Sequence, residues 1–250
     1  LVFAWSNDTL MMRSCVQVMG CQTPLGSGGS QDIHGDYSSC DANSSAGSLP
    51  DVVPFTTGPY GGFPGSPAWQ VAYHVIVHGL WRNYGDAGAI REHYQGLEAL
   101  IGYWWRHADP DGLVTIGGLG DWIDTLWPTQ NTPTRAVSGF YTLLAVQYMS
   151  LFANVLGKQD DVAKWDKLVT SGKAAYHARF YNSTAQGYCA DALSPRGSQC
   201  ANIMALYLGT VPESLISTVT DSLVDDIQAN DYHTTSGIVG STFLFDVLTA

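Results

Sequence analysis

The chain reads as an all-α protein built from helical hairpins, part of an α/α toroid, and three observations predict this. Apolar residues recur at three- and four-residue spacing over most of the sequence from residue 68 onward. Long connections at 14–67, 109–132 and 182–197 alternate with short ones near 84–87, 157–160 and 209–212. No segment shows the two-residue alternation of a strand, apart from short pairings inside loops. Helices joined by short connections pack as antiparallel neighbours. Loops long at one end and short at the other favour a toroid over a four-helix bundle. A helical-repeat solenoid would alternate as well, but the sequence repeat such arrays carry is not found.

Residues 1–13 read as the tail of a helix. From 14 to 67 there is no sustained period, and Gly, Ser, Asp and Pro dominate, a long structureless run for a compact domain. The chain therefore divides into a loop-rich N-terminal part, 1–67, and a helical-hairpin part, 68–250. Within the first part, Leu49-Pro50-Asp51-Val52-Val53-Pro54-Phe55 stands out. Asp51 sits beside a proline-fixed turn, as a turn residue or as a ligand contact. Trp69, Tyr73, Ile76 and Leu80 share one face of a helix that closes at Asn83-Tyr84-Gly85. Asp86 is placed to cap the next helix, where Ile90, Tyr94, Leu97 and Ile101 recur. Thr132-Pro133 opens a third, with proline where its missing N–H costs nothing. Its stripe of Val137, Phe140, Tyr141, Leu144, Tyr148, Leu151, Phe152 and Val155 is the cleanest in the chain. Gly157 stops it, and Asp160 or Asp161 starts a helix whose face holds Val162, Trp165, Val169, Gly172, Tyr176 and Phe180. Helical patterns follow at 199–208, at 212–230 and from about Ser236 to the end.

Composition excludes several classes. With 45% hydrophobic and 13% charged residues the chain is globular. A formal net charge of −11 argues against nucleic acid, whose phosphates need Lys and Arg. The longest apolar stretch, Phe140–Leu156, is broken by Gln147, Ser150 and Asn154, so no membrane partner is expected. None of Cys15, Cys21, Cys40, Cys189 and Cys200 forms a C-x₂-C pair, which argues against structural zinc. A Cys189–Cys200 bridge would staple one loop. His74 and His78 stand at i and i+4 without a third ligand and read as helix residues, so no metal and no cofactor is expected. Sequons at Asn7, Asn43 and Asn182, with cysteines in loop-like stretches, point to a secreted or extracytoplasmic protein. The absent initiator Met and the abrupt Leu-Thr-Ala end suggest an excerpt whose partners include further parts of the same polypeptide.

The stretch Gly117-Gly118-Leu119-Gly120-Asp121-Trp122-Ile123-Asp124-Thr125-Leu126-Trp127 is the candidate site. Its glycines leave the backbone open to close approach. Carboxylates accept sugar hydroxyls, and an indole covers the apolar face of a pyranose. The other reading is a helix–helix loop with Asp121 as an N-cap and both tryptophans in the core.

Ser48-Leu49-Pro50-Asp51-Val52-Val53-Pro54, Gly65-Ser66-Pro67-Ala68-Trp69, Tyr84-Gly85-Asp86 and Gly120-Asp121-Trp122 occur in that order. They are followed by Gln199-Cys200-Ala201 and Thr234-Thr235-Ser236-Gly237-Ile238-Val239-Gly240. This series resembles the catalytic domain of the α-L-rhamnosidases of glycoside hydrolase family 78, from about residue 46 to the end. The resemblance implies an (α/α)₆ barrel of the six-hairpin glycosidase type, incomplete in this chain. It also implies hydrolysis of terminal α-L-rhamnose with inversion, which requires one carboxylic acid and one carboxylate. The resemblance places the acid in an Asp-x-x-x-Arg-Glu motif, but Arg13 is followed by Ser14. It places the base glutamate beyond Ala250, and Glu92, Glu98 and Glu213 match neither role. No catalytic residue is therefore identified here. What carries over is the sugar-holding wall: Trp69, Asp121 and Trp122, with Asp51 as a further substrate contact. His233 reads as a helix-entry residue. Two other functions stay open: a non-catalytic carbohydrate-binding or scaffold protein, and another α/α-barrel glycosidase using Asp121 or Asp124.

Overall fold

The computed structural model describes residues 47–49, 66–118, 120–125, 132, 134–189 and 197–250. Asp51, Trp127, Pro133, the tail at 1–13 and cysteines 15, 21 and 40 lie outside the described residues. Helix makes up 68% of the described residues, which places the chain in the all-α class. The elements in order are α1 (Pro67–Gln70), α2 (Ala72–Tyr84), α3 (Ala87–Trp105), α4 (Thr134–Val155) and α5 (Gln159–Phe180). The strands β1 (Tyr181–Asn182) and β2 (Gly187–Tyr188) follow, then α6 (Gln199–Leu208), a 3₁₀ turn (Glu213–Leu215), α7 (Ile216–Ala229) and α8 (Ile238–Leu248). The helix expected from Trp69 to Gly85 is interrupted at Val71, so α1 and α2 are separate. Gly85 adopts φ 69° and donates its N–H to Trp81 O at 2.8 Å, a left-handed cap that favours glycine. Asp86 accepts the Ala89 N–H at 3.2 Å and caps α3 as the sequence predicts.

The chain divides into two compact units: residues up to 108 with 116–118 and 144–169, and residues 109–115, 119–143 and 170–250. The first is built on the antiparallel α2–α3 hairpin, with Val77, Leu80, Ile90, Leu97, Leu100 and Trp104 buried. Gln70 organises one end of it. Its Oε1 accepts the Trp104 indole N–H at 2.8 Å, and its Nε2 donates to the Leu49 carbonyl and to Ser48 Oγ at 3.4 Å. Residues 47–49 are thereby held against α3, where a Cβ on Gly47 would lie 2.3 Å from the Ala99 carbonyl. Trp165 of α5, on the predicted inward face, donates to Tyr94 Oη at 3.1 Å, and Tyr94 donates to Asp161 at 2.9 Å. The nearby Lys164–Glu98 pair at 2.7 Å is solvent-exposed and adds little.

In the second unit, α4 and α5 approach where Gly172 faces Leu143, with a Cβ there falling 2.2 Å from Leu143 Cδ2. Phe140, Tyr176 and Phe180 fill the interior. The loop after α5 contains the antiparallel β1–β2 pair, Tyr181 opposite Tyr188, and Asn202 Oδ1 of α6 accepts the Tyr188 N–H at 2.7 Å. Arg179 pins the 109–115 loop through Asp109 at 2.6 Å and Asp111 at 2.7 Å. The Cys189–Cys200 bridge does not form: both residues are buried, and the Cys200 thiol is turned to Asp121 instead. Helix α4 is long and apolar enough to cross a membrane, yet 78% of its apolar window is buried inside the protein, as befits a core helix.

His74 of α2 is fully buried, stacked on Trp104 at 6.0 Å, and neither ring nitrogen makes a well-formed hydrogen bond. Burial pushes its pKa down to about 3, opposed weakly by the Leu97 backbone. In the unfolded chain the ring takes up a proton below its ordinary 6.5, whereas in the fold it does not until about 3. The stability that neutral His74 supports is thus present above pH 6.5 and lost progressively as pH falls towards 3. We expect the loss to be on the order of 3 kcal/mol between pH 6.5 and 4. His74→Leu, which removes the base, should flatten that slope in thermal melts; parallel slopes for the two proteins would refute this account.

Candidate functional site

The loop Gly120–Thr125 belongs to the second unit and is defined by what Asp121 does. Helix α8 begins at Gly237-Ile238, a start with no side chain able to cap its first N–H groups. Asp121 supplies that cap from the other end of the unit. Its Oδ2 accepts the Gly237 N–H at 2.7 Å, and its Oδ1 accepts those of Val239 at 3.0 Å and Gly240 at 3.3 Å. The residue is 1% exposed. Burial raises its pKa, opposed by these N–H groups and by the Cys200 thiol. The same contact and burial push the Cys200 thiol well above its ordinary value.

The backbone beside Asp121 is joined to the same turn. Trp122 O accepts the Ile238 N–H at 2.8 Å, and the Thr125 N–H donates to Thr235 O at 3.3 Å. A Cβ on Gly237 would stand 2.2 Å from Trp122 O and 2.7 Å from Asp124 N, so only glycine fits there. The start of α6 closes the junction. Ser198 caps its own helix through the Ala201 N–H at 3.0 Å and meets Thr132 Oγ1 at 2.6 Å. Gln199 accepts the Thr235 N–H at 2.8 Å and donates to Asp226 of α7 at 2.7 Å. Three segments far apart in sequence, 120–125, 198–200 and 234–240, therefore form one hydrogen-bonded junction.

Each predicted site residue has a definite place. Asp121 is a cap, as the second sequence reading held, though of a helix 116 residues away rather than of the next one. The carboxylate expected to meet sugar hydroxyls is directed at backbone N–H groups. Trp122 is half-buried on the junction's loop, and Asp124 is buried beside it. Trp69 belongs to the first unit, on α1, where it is half-buried and its N–H donates to Ser66 O at 3.1 Å. Asp51 lies outside the described residues. His233, expected at a helix entry, is exposed and its Nδ1 lies 3.1 Å from Asn230 O at the end of α7. Among the described residues no group of three His, Cys, Asp or Glu could hold a metal.

Two features escape the sequence. Ile123 has φ 60° and Tyr232 has φ 61°, left-handed backbone at a β-branched and an aromatic residue. Each such residue costs roughly 1–3 kcal/mol. Tyr232 lies in the turn that ends α7, where its N–H donates to Ile227 O at 2.9 Å, whereas Ile123 is 61% exposed on the 120–125 loop.

Antiparallel helix pairs whose connecting loops meet in one hydrogen-bonded junction define an α/α-hairpin protein. The family described as the bacterial α-L-rhamnosidase six-hairpin glycosidase domain matches residues 37–250, and the chain belongs to that family. An α-L-rhamnosidase of Streptomyces avermitilis is 28% identical over 210 residues, covering 84% of this chain and 19% of that protein. The structure of α-L-rhamnosidase from Dictyoglumus thermophilum superposes with a TM-score of 0.80 at 30% identity, over 97% of this chain and 25% of that one. That of the Streptomyces avermitilis enzyme complexed with L-rhamnose gives 0.75 at 23%, over 95% and 20%, a likeness of fold. The chain thus spans about a fifth to a quarter of these relatives, and its fold is part of a six-hairpin glycosidase domain.

Replacing one carboxylate oxygen of Asp121 by an amide group turns a donor toward the α8 N–H groups and leaves at least one of them unpaired. A buried unpaired N–H costs about 1–3 kcal/mol, and a chain of this size loses about 2–4 °C of Tm per kcal/mol. Asp121→Asn should therefore melt several degrees lower. A wild-type melting temperature for this variant would remove Asp121 as the cap.

Proposed function

We propose that the chain is part of an inverting glycoside hydrolase that releases terminal α-L-rhamnose from glycosides. The observation that carries this reading is the junction itself. The Gly-Asp-Trp and Thr-Ser-Gly-Ile segments, both within the matched family region, are locked together around Asp121. In this reading Trp122 covers the apolar face of the sugar, and Asp121 holds its loop in place. Trp69 and Asp51 are proposed as substrate contacts on the resemblance alone. A secreted or extracytoplasmic location is part of the proposal, through the sequon Asn182-Ser183-Thr184 in the β1–β2 turn, where Ser183 and Thr184 are exposed.

Inversion needs an acid and a base on opposite faces of the sugar. Asp121 is directed into the interior, and Glu92, Glu98 and Glu213 lie on helix surfaces, Glu98 paired with Lys164. We assign both catalytic glutamates to other parts of the polypeptide. The 250-residue chain alone should leave an aryl α-L-rhamnoside intact, while the complete protein cleaves it. Rhamnose release by the purified chain would overturn the assignment and return Asp121, Asp124 or Asp51 as catalytic candidates. Binding without hydrolysis by the complete protein would favour a carbohydrate-binding role.

In the complete protein, Trp122→Ala should lower kcat/KM by about tenfold, the ~1.4 kcal/mol expected of a lost indole–sugar contact. Activity is to be measured per folded molecule. An intact kcat/KM would remove Trp122 from the site.

A further inference from the structure

We propose that Asn182 carries an N-linked glycan, which makes the β1–β2 turn a modification site; this rests on the secreted location proposed above. Asn182-Ser183-Thr184 is an Asn-x-Thr acceptor triplet, the signal for transfer of an oligosaccharide to an asparagine side chain. Such triplets also arise by chance, and it is the setting of this one in the fold that carries the assignment. Asn182 ends β1, and residues 183–186 form the turn to Gly187 of β2. Ser183, Thr184 and Gln186 are exposed, and Asn182 is half-buried at their edge. A glycan is bulky and polar, and at such a tip it extends into water without displacing packed side chains.

The Asn182 carboxamide is already oriented for this. Its Oδ1 accepts the Thr184 N–H at 2.9 Å and the Ala185 N–H at 3.2 Å. The side chain thus folds over the residues that follow, and the whole triplet is held as one Asx turn. Both bonds use the carbonyl oxygen, whereas a glycan is attached at the other end of the amide, through Nδ2. Attachment therefore leaves the turn intact. The Thr184 hydroxyl makes no hydrogen bond among the described residues, so the fold itself gives no reason for threonine there. Below the tip the hairpin is fixed. Tyr188 donates its N–H to Asn202 Oδ1 at 2.7 Å and accepts the Ser198 N–H at 3.0 Å, and Gly187 leaves room for Asn202 and Ser222. An anchored base and an open tip let a large group be added without disturbing the interior.

The transfer needs a co-reactant, an oligosaccharide held on a polyprenyl pyrophosphate. The Asn182 Nδ2 bonds to the anomeric carbon of the first sugar. The pyrophosphate leaves with the electron pair of the broken C–O bond, and Nδ2 gives up one proton. A glycan there also fixes what the turn faces. No other part of the polypeptide can then pack over residues 183–186, and that side of the second unit stays in water.

The test uses the complete protein secreted from yeast behind a heterologous leader, so that the acceptor is read independently of the protein's own address. Trypsin, cutting after Arg179 and Arg196, releases residues 180–196 as a peptide with a single acceptor triplet. In mass spectra that peptide should carry an N-acetylhexosamine-based glycan that peptide N-glycosidase removes. Thr184→Ala should abolish the modification, and Thr184→Ser should retain it, because serine also completes the signal. Both variants keep the backbone N–H that bonds Asn182. Made without glycan in bacteria, they should melt within about 2 °C of the wild type, as exposed substitutions do. An unmodified peptide from the secreted, folded protein would overturn the assignment, as would a glycan that persists in Thr184→Ala. A fall of several degrees would overturn it too, since threonine would then have a structural role. Location is read separately, with the protein's own N-terminal sequence in place of the leader. Retention inside the cell would overturn the location and the modification with it, whereas secretion with a bare Asn182 would overturn the modification alone.

Discussion

The bond set between the Asp121 carboxylate and the first turn of α8 is the constraint on which the loop region of the second unit depends. A helix start exposes N–H groups that need acceptors, and α8 begins with glycine and isoleucine, which offer none. Three of those N–H groups reach one carboxylate that is buried with them. Desolvation works against the charge there, while the N–H groups and the positive end of the helix work for it. Removing one partner from such a buried set is costly because the other is left unsatisfied. That is why the loop and the helix start behave as one piece, although 116 residues separate them in the chain.

The geometry around this bond accounts for the glycines of the Thr-Thr-Ser-Gly-Ile-Val-Gly segment. Gly237 has an ordinary extended backbone, φ −80°, so conformational freedom is not its reason for being there. Its reason is space: the Trp122 carbonyl lies where a side chain would begin. Gly240 is similar, with Ser236 Oγ 2.6 Å and Cys200 Cα 3.0 Å from its would-be Cβ. The serine–glutamine–cysteine run at the start of α6 is explained in the same way. Ser198 caps its helix, Gln199 spans α7 and the Thr235 backbone, and Cys200 lies against Asp121.

Much of the helical framework was legible because its determinants are local. The 3.6-residue stripe of α4, the Asp86 cap and the glycines at 85 and 157 act within one or two turns of where they stand. The break at Val71 and the short β1–β2 pair carry no such periodic signal. The Asp121 cap was legible only as one of two uses of a carboxylate beside a glycine loop. Which N–H groups it would meet depends on tertiary placement, and nothing in residues 117–127 encodes a partner at 237. Likewise, the spacing of Cys189 and Cys200 permitted a bridge, but only the fold shows the second thiol turned to Asp121. The left-handed backbone at Ile123 and Tyr232 runs against residue preference, so a propensity reading could only miss it.

The two units show different ways of accommodating polar groups in the interior. Gln70 satisfies an indole, a carbonyl and a hydroxyl at once, so its burial costs little and serves to hold residues 47–49, which lead directly to Pro50-Asp51. His74, four residues on, is buried without such partners and stays neutral instead. A neutral imidazole without a well-formed hydrogen bond adds little directional bonding to the packing around Trp104, so the hairpin depends there on shape and on pH. Around Asp121 the charge is matched donor by donor, which ties the 120–125 loop to the first turn of α8.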